Sequence, residues 1–203
     1  MAIGTGRNNA LLLSTGIAAC MLSRYSIVFW VPLCIGCYYI AGRKKEAVSI
    51  IMFLLMAFII IYWLPFLRKD PSIFFKGYAY HTSAALEEWK RNNECTGLGF
   101  ASWAARFLPG DLAKKLSIYQ KLHLVLCVLT VAGLFLCYYK FRIRYALNDY
   151  LLFSFKIHLT VFYSFIQIPY RYLFFVPLIV SSVLLAEGFQ KKRLHNYNAM
   201  IVS

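Results

Sequence analysis

Residues 68–92 read RKDPSIFFKGYAYHTSAALEEWKRN, a stretch dense in cations, aromatic rings and one histidine inside a chain that is otherwise largely apolar. Lysine pairs with phosphate as a point charge and arginine through a planar fork of donors. Rings beside such cations offer a flat surface to a sugar or an isoprenoid. The combination suits a lipid-linked anionic substrate held at headgroup level. The plainer alternative is an interfacial cuff that only packs on neighbouring helices. Which of the two applies depends on the elements that carry the segment.

Those elements read as membrane helices. Of 203 residues, 61% are hydrophobic and 18% aromatic, and the mean hydropathy is +0.60, more apolar surface than one soluble core of this size can hide. Apolar runs occupy 10–22, 25–41, 47–67, 123–139, 150–168 and 172–186. The runs that begin at Ala47, His123 and Tyr150 approach the roughly 20 residues that cross a hydrocarbon core as a helix. The first run is short by the same rule. With Arg7 before it and IAAC at its end, it also reads as a signal peptide with a lipidation-type site. The chain continues past Arg24 straight into another apolar run, which favours a membrane hairpin over 10–41 turning at Ser23 and Arg24.

Charge placement orients the spans, because short cytoplasmic loops collect lysine and arginine. The chain has 22 basic and 8 acidic residues, a formal net charge of +14. Arg43, Lys44 and Lys45 follow the second run, Lys140, Arg142 and Arg144 the fourth, and Lys191, Lys192 and Arg193 the sixth. With six spans all three clusters share one side, where both termini also lie. The short opposite connections hold only Arg24 and Arg171. Residues 68–120 then face outward, and long translocated loops are exempt from the charge rule. Clusters next to spans are typical of topology and anionic-lipid contact rather than nucleic-acid binding.

Inside the spans, Lys156 and His158 are the expensive residues, a central lysine costing roughly 2.5 to 3.5 kcal/mol on insertion scales. Lys156 either snorkels to headgroups or has an internal polar partner or proton-relay role. His158 reads as a hydrogen-bonded packing residue, since no second His, Asp or Glu accompanies it at helical spacing. Five of the six cysteines lie in apolar runs, so the CxxC of Cys34 and Cys37 reads as small-residue packing rather than metal or redox chemistry. No phosphate loop, GxSxG elbow, HExxH or dinucleotide fingerprint is present.

Within 68–120, Asp70-Pro71 suits a helix start, the aspartate capping and the proline filling the first turn. Phe74, Tyr78 and His81 then share one helical face at i, i+4 and i+7. A second short helix is expected from Thr82 or Ser83 as cap, with Glu87 and Glu88 opposed by Lys90 and Arg91. A third covers 100–108, ended by Pro109-Gly110, with Trp103 and Phe107 at i, i+4 as anchors.

In order along the chain, SRYSIVFWVPL, WLPFLRKDPSIFFKGYAYH, GLGFASWAARF and IPYRYLFFVPLIVSS resemble the downstream half of membrane glycosyltransferases of the GT-C superfamily. The likeness covers nearly the whole chain and rests on the order of the motifs. It implies a protein that takes a sugar from a polyprenyl-phosphate donor at the outer face. Lys69, Lys76 and Arg106 would pair with the donor phosphate, His81 would donate to it, and Tyr170 and Arg171 would close the site from the last outward turn. For Arg171 an interfacial anchor on lipid phosphate is an equal reading.

Members of that superfamily carry an acidic residue in the first outward loop, as base or metal partner, whereas the first outward turn here, Ser23-Arg24, has no carboxylate. Proton abstraction from a sugar hydroxyl needs a positioned base, and the outward carboxylates are Asp70, Glu87, Glu88, Glu94 and Asp111. Asp70 is the best placed of them, in a context that equally suits a cap.

The expectation is therefore an all-α integral membrane protein in a bacterial inner (plasma) membrane, with about six transmembrane helices and one long outward loop of short interfacial helices. Three spans fall in 1–67, the outward loop in 68–120, three further spans in 121–187 and a cytoplasmic tail in 188–203. Its expected role is the C-terminal, donor-binding portion of a glycosyltransferase, a fragment or half that does not catalyse alone. The implied partners are membrane lipid, a polyprenyl-phosphate sugar and an N-terminal half encoded separately. No cofactor is expected in this chain, a divalent metal belonging to a complete enzyme. The alternative class is a non-enzymatic membrane subunit or small transporter-like protein with Lys156 and His158 along an internal polar path.

Overall fold

A computed structural model describes residues 6–23, 25–91, 100–144, 146–166 and 175–202, and every regular element among them is helical. Helix α1 (Gly6–Ser23) is followed by a 3-10 turn, Tyr25–Phe29, and by α2 (Val31–Ile40). Pro32 sits in the first turn of α2, where its missing N–H has no intrahelical partner to deprive. Gly42, at φ +81°, turns the chain into α3 (Lys44–Phe58). Helix α3 runs on into a π-helical stretch, Ile59–Leu67, that contains Pro65. Proline withholds the N–H that the carbonyl four residues back would receive, and a wider turn accommodates the break.

Beyond it come α4 (Ile73–Arg91), α5 (Phe100–Phe107), α6 (Leu112–Phe141), a 3-10 turn at Arg142–Arg144, α7 (Leu147–Ser164) and α8 (Phe175–Val202). Two helical stretches are long and apolar enough to cross a membrane: Lys44–Leu67, with 24 residues, and Leu112–Phe141, with 30. At 1.5 Å per residue they reach about 36 and about 45 Å. Only 11% and 17% of their most apolar windows are buried, whereas the core helix of a soluble domain would hide most of such a window. Three further apolar helical stretches, 12–21, 26–40 and 175–188, are shorter.

The main core forms around α2, where Leu33, Cys34, Cys37 and Tyr38 meet Ile17 of α1, Ala47 and Ile50 of α3, Tyr138 of α6, and Tyr150 and Leu151 of α7. Helix α1 packs on α3 as well as on the turn that follows it, so the first apolar run is part of the bundle. Both cysteines of the CxxC are free thiols with no exposed surface. Gly36 between them lets α6 approach closely, since a Cβ built there would lie 2.6 Å from Phe135.

Long-range contacts fix the directions. The Arg142 guanidinium donates to the Ile40 carbonyl, and Gly36 faces Phe135, so α2 and α6 run parallel. Trp30 bonds to Ser154, and Ser26 to His158, so α7 runs antiparallel to α2. The cations after the second apolar run and those after the fourth accordingly gather at one end of the bundle. The side chains of the third basic cluster, 191–193, lie outside the described residues.

Two local expectations are corrected. The two short helices anticipated within 73–91 are one continuous helix, α4. Ser83 does not cap a new start: its hydroxyl donates back to the Tyr80 carbonyl at 2.8 Å, a bond compatible with an uninterrupted helix. Helix α6 begins at Leu112, well before the apolar run at His123, because the Asp111 carboxylate accepts from the Lys114 N–H at 3.3 Å and starts the helix there. Residues expected in the outward loop thus form the first turns of α6.

Candidate functional site

The site begins at the turn after the π-helical stretch. Asp70 Oδ1 accepts from the Ser72 N–H at 3.0 Å and from the Ser72 hydroxyl at 2.6 Å, while Oδ2 accepts from Lys76 Nζ at 2.6 Å. The Lys76 ammonium and the two Ser72 donors hold the Asp70 carboxyl down at about 2. A carboxylate so strongly stabilised as the anion is a poor proton acceptor at neutral pH. Asp70 thus ties the turn at 70–72 to Lys76 in the first turn of α4.

Helix α4 carries Phe74, Phe75 and Tyr80 exposed. Tyr62 of the π-helical stretch contacts both Phe58 and Phe74, with ring centroids 5.8 and 5.6 Å apart. A row of rings thus joins the end of the long apolar helix to α4. The other end of α4 is anchored by Trp89, 1% exposed, which packs on Ala101, Ala104 and Ala105 of α5 and on Leu116 and Tyr119 of α6. Only small side chains on α5 leave room for the indole. The opposite face of α5 presents Trp103 and Phe107, exposed and in contact at 5.5 Å, as their spacing predicts. Lys115 Nζ donates to the Ala105 carbonyl at 3.0 Å, closing the C-terminal end of α5.

The anticipated substrate contacts fall at the two ends of this layer. Lys69 is exposed beside Asp70, and Lys76 is engaged by Asp70. Arg106 is exposed in the last turn of α5, near the Trp89 end. Lys76 and Trp89 are about 20 Å apart at the α-helical rise, so Lys69 and Lys76 serve one end and Arg106 the other. His81 lies within α4, its side chain outside the described residues, as are Tyr170 and Arg171 altogether. Phe165, close before that segment, stacks on Phe100 of α5 at 4.4 Å.

A second set of polar groups lies inside the bundle. Trp30 Nε1 donates to Ser154 Oγ at 3.0 Å, and Ser154 donates to the Leu151 carbonyl at 2.9 Å. His158, with no exposed surface, places Nε2 2.8 Å from the Ser26 carbonyl. A carbonyl only accepts, so the proton is on Nε2. The His123 and His158 rings both contact Phe162, at 4.9 and 6.1 Å. Among the described residues, His158 Nδ1, His123 Nε2 and the Tyr119 hydroxyl have no hydrogen-bond partner.

Lys156 pairs with Glu187 on α8. The structure gives the lysine a polar partner, with the Lys156 side chain 14% and the Glu187 side chain 48% exposed. Glu187 is the residue that sequence reasoning missed, and its signal was a lone acid at the end of an apolar run adjacent to the one holding the lysine. Lys156 and His158, two positions apart, meet different neighbours, Glu187 of α8 and the Ser26 carbonyl. No group of three His, Cys, Asp or Glu side chains among the described residues is placed to share a metal ion.

No family model, no curated protein and no solved structure matches the chain.

Proposed function

We propose that the chain is an integral membrane protein of six spans, in a bacterial inner membrane, whose α4–α5 layer holds the headgroup of a lipid-linked anionic substrate. The reading is carried by one observation: exposed rings and cations share a layer that Trp89 fastens to α6. In it the aromatic side chains lie at the headgroup boundary and the cations above them receive phosphate. Lys69 and Lys76 at one end of α4 lie too far from Arg106 for one phosphate to meet all three, so the phosphate falls to Lys69 and Lys76 and the sugar lies along the exposed rings beside them. The motif order favours a polyprenyl-phosphate sugar and a donor-holding role of the GT-C kind. Engagement of Asp70 by three donors supports holding rather than catalysis by this chain.

The test is retention of a radiolabelled polyprenyl-phosphate sugar by the purified chain in lipid nanodiscs, against the uncharged polyprenol of equal length. Selective retention, weakened by Lys69→Gln/Lys76→Gln, is expected. Equal retention of the alcohol would remove the headgroup role. Orientation is checked separately with an impermeant maleimide in intact cells, which should reach Glu87→Cys from outside and Lys45→Cys only after lysis.

A further inference from the structure

The opposite end of the bundle holds a second charged surface, built from two basic clusters that the sequence keeps about a hundred residues apart. Arg142 Nη1 donates to the Ile40 carbonyl at 3.3 Å, clasping the end of α6 onto the end of α2. Arg43 and Arg142 are both close enough to act electrostatically on Tyr138 between them. Each cluster also holds a cation against a ring. Arg43 lies 5.0 Å over Tyr38, Lys44 5.1 Å over Tyr39 and Lys140 5.5 Å over Phe141.

Among the described side chains, Glu46 and Asp149 are the acids beside Arg43, Lys44, Lys45, Lys140 and Arg142. Glu46 is held by the Arg43 guanidinium, which leaves Asp149 at the start of α7 against the other four. At the same level Ile143 is 96% exposed, in the turn between Arg142 and Arg144, and Tyr39 and Tyr139 are 58% and 64% exposed. Free phosphate would satisfy the cations and leave that apolar surface in water. A phospholipid covers both, its phosphate meeting the cations and its glycerol and acyl region meeting Ile143 and the rings.

We propose that this end, formed by Lys44, Lys45, Lys140 and Arg142 around the α2–α6 clasp, is a binding site for anionic phospholipid headgroups of the adjoining leaflet. It rests on the membrane residence proposed above but is independent of any substrate at α4–α5. Lys44 and Lys140 are steered by their rings, Arg142 keeps donors beyond the one given to Ile40, and Ile143 enters the boundary between headgroups and acyl chains.

The experiment reconstitutes the full chain in nanodiscs of equal parts phosphatidylglycerol and phosphatidylcholine, extracts it in mild detergent and measures the two co-purifying lipids by mass spectrometry. Phosphatidylglycerol is expected to be enriched, with a loss of about fivefold for each cation removed, so that Lys44→Gln/Lys45→Gln/Arg142→Gln abolishes the enrichment. The conservative Lys44→Arg/Lys45→Arg should keep it. Ile143→Ser alters a side chain almost wholly in the open, leaves the fold intact, and should lower the enrichment several-fold. Lys90→Gln/Arg91→Gln, at the other end of the bundle, should leave it unchanged. Equal lipid ratios in wild type, an unaltered ratio in Ile143→Ser, or an equal loss in Lys90→Gln/Arg91→Gln would each overturn the site. A chain that does not enter these mixed discs would refute membrane residence itself.

Discussion

His158 on α7 donates from Nε2 to the backbone carbonyl of Ser26, 132 residues earlier, at 2.8 Å. The bond joins the middle of α7 to the 3-10 turn between α1 and α2, and both partners are buried. Replacement by leucine keeps the volume roughly but strands the carbonyl, a change expected to cost about 1–3 kcal/mol. His158→Gln can offer an amide donor at similar reach and should recover part of the loss. Resistance to unfolding by dodecyl sulfate in mixed micelles measures both, and equal stability of the leucine and wild-type chains would deny the bond its role.

Ser154 makes the companion contact, accepting from the Trp30 indole at 3.0 Å. Ser154→Ala should cost about 1–3 kcal/mol by leaving a buried N–H unpaired. Trp30→Phe combined with Ser154→Ala should cost less than the sum of the two single changes. A double-mutant cycle on the same unfolding assay checks this coupling.

Close helix approach sets a third expectation. A methyl at Gly36 would meet the Phe135 ring at 2.6 Å, whereas one at Gly133 meets nothing within 4 Å. Gly36→Ala should therefore destabilise by about 1–3 kcal/mol through overpacking, while Gly133→Ala should stay within about 0.5 kcal/mol of wild type. Thermal unfolding in detergent separates them.

The turn at Asp70 predicts a pH dependence. Lys76, with the Ser72 donors, holds the carboxyl at about 2 against an ordinary 3.8. The unfolded chain thus binds the proton more readily, and the stabilisation is present above pH 3.8 and lost as pH falls towards 2. Asp70→Asn should flatten this part of the stability profile between pH 2 and 5. Lys76→Gln should shift the loss to higher pH, as followed by hydrogen exchange at the amides of 72–76.

Run length made two of the six expected spans legible. The runs at 47–67 and 123–139 correspond to the two helices long and apolar enough to span, and DP at 70–71 marked the turn before α4. The fusion of the two expected loop helices was not legible. Ser83 looks like a start signal until its hydroxyl is seen turned back on Tyr80. The onset of α6 was misplaced because a hydropathy run detects where grease begins, whereas the helix begins at the Asp111 cap. Partnerships between distant residues, Lys156 with Glu187 and His158 with Ser26, require knowing which helices are neighbours. Neither local propensity nor periodicity carries that information. The candidate residues of the α4–α5 layer were recognisable by type, but their division between the two ends of α4 became visible only when Trp89 was found docked on the alanines of α5.

The Lys156–Glu187 pair also bears on how the protein is made. Synthesis proceeds from the N-terminus, so α7 leaves the ribosome with its lysine 31 residues before the acid that answers it. Alone, α7 would present an uncompensated ammonium to the hydrocarbon. In a six-span arrangement it should therefore linger at the translocation channel until α8 arrives. The last two helices would then pass into lipid together as one hairpin, and a stop codon between them would leave α7 stranded at the channel rather than integrated.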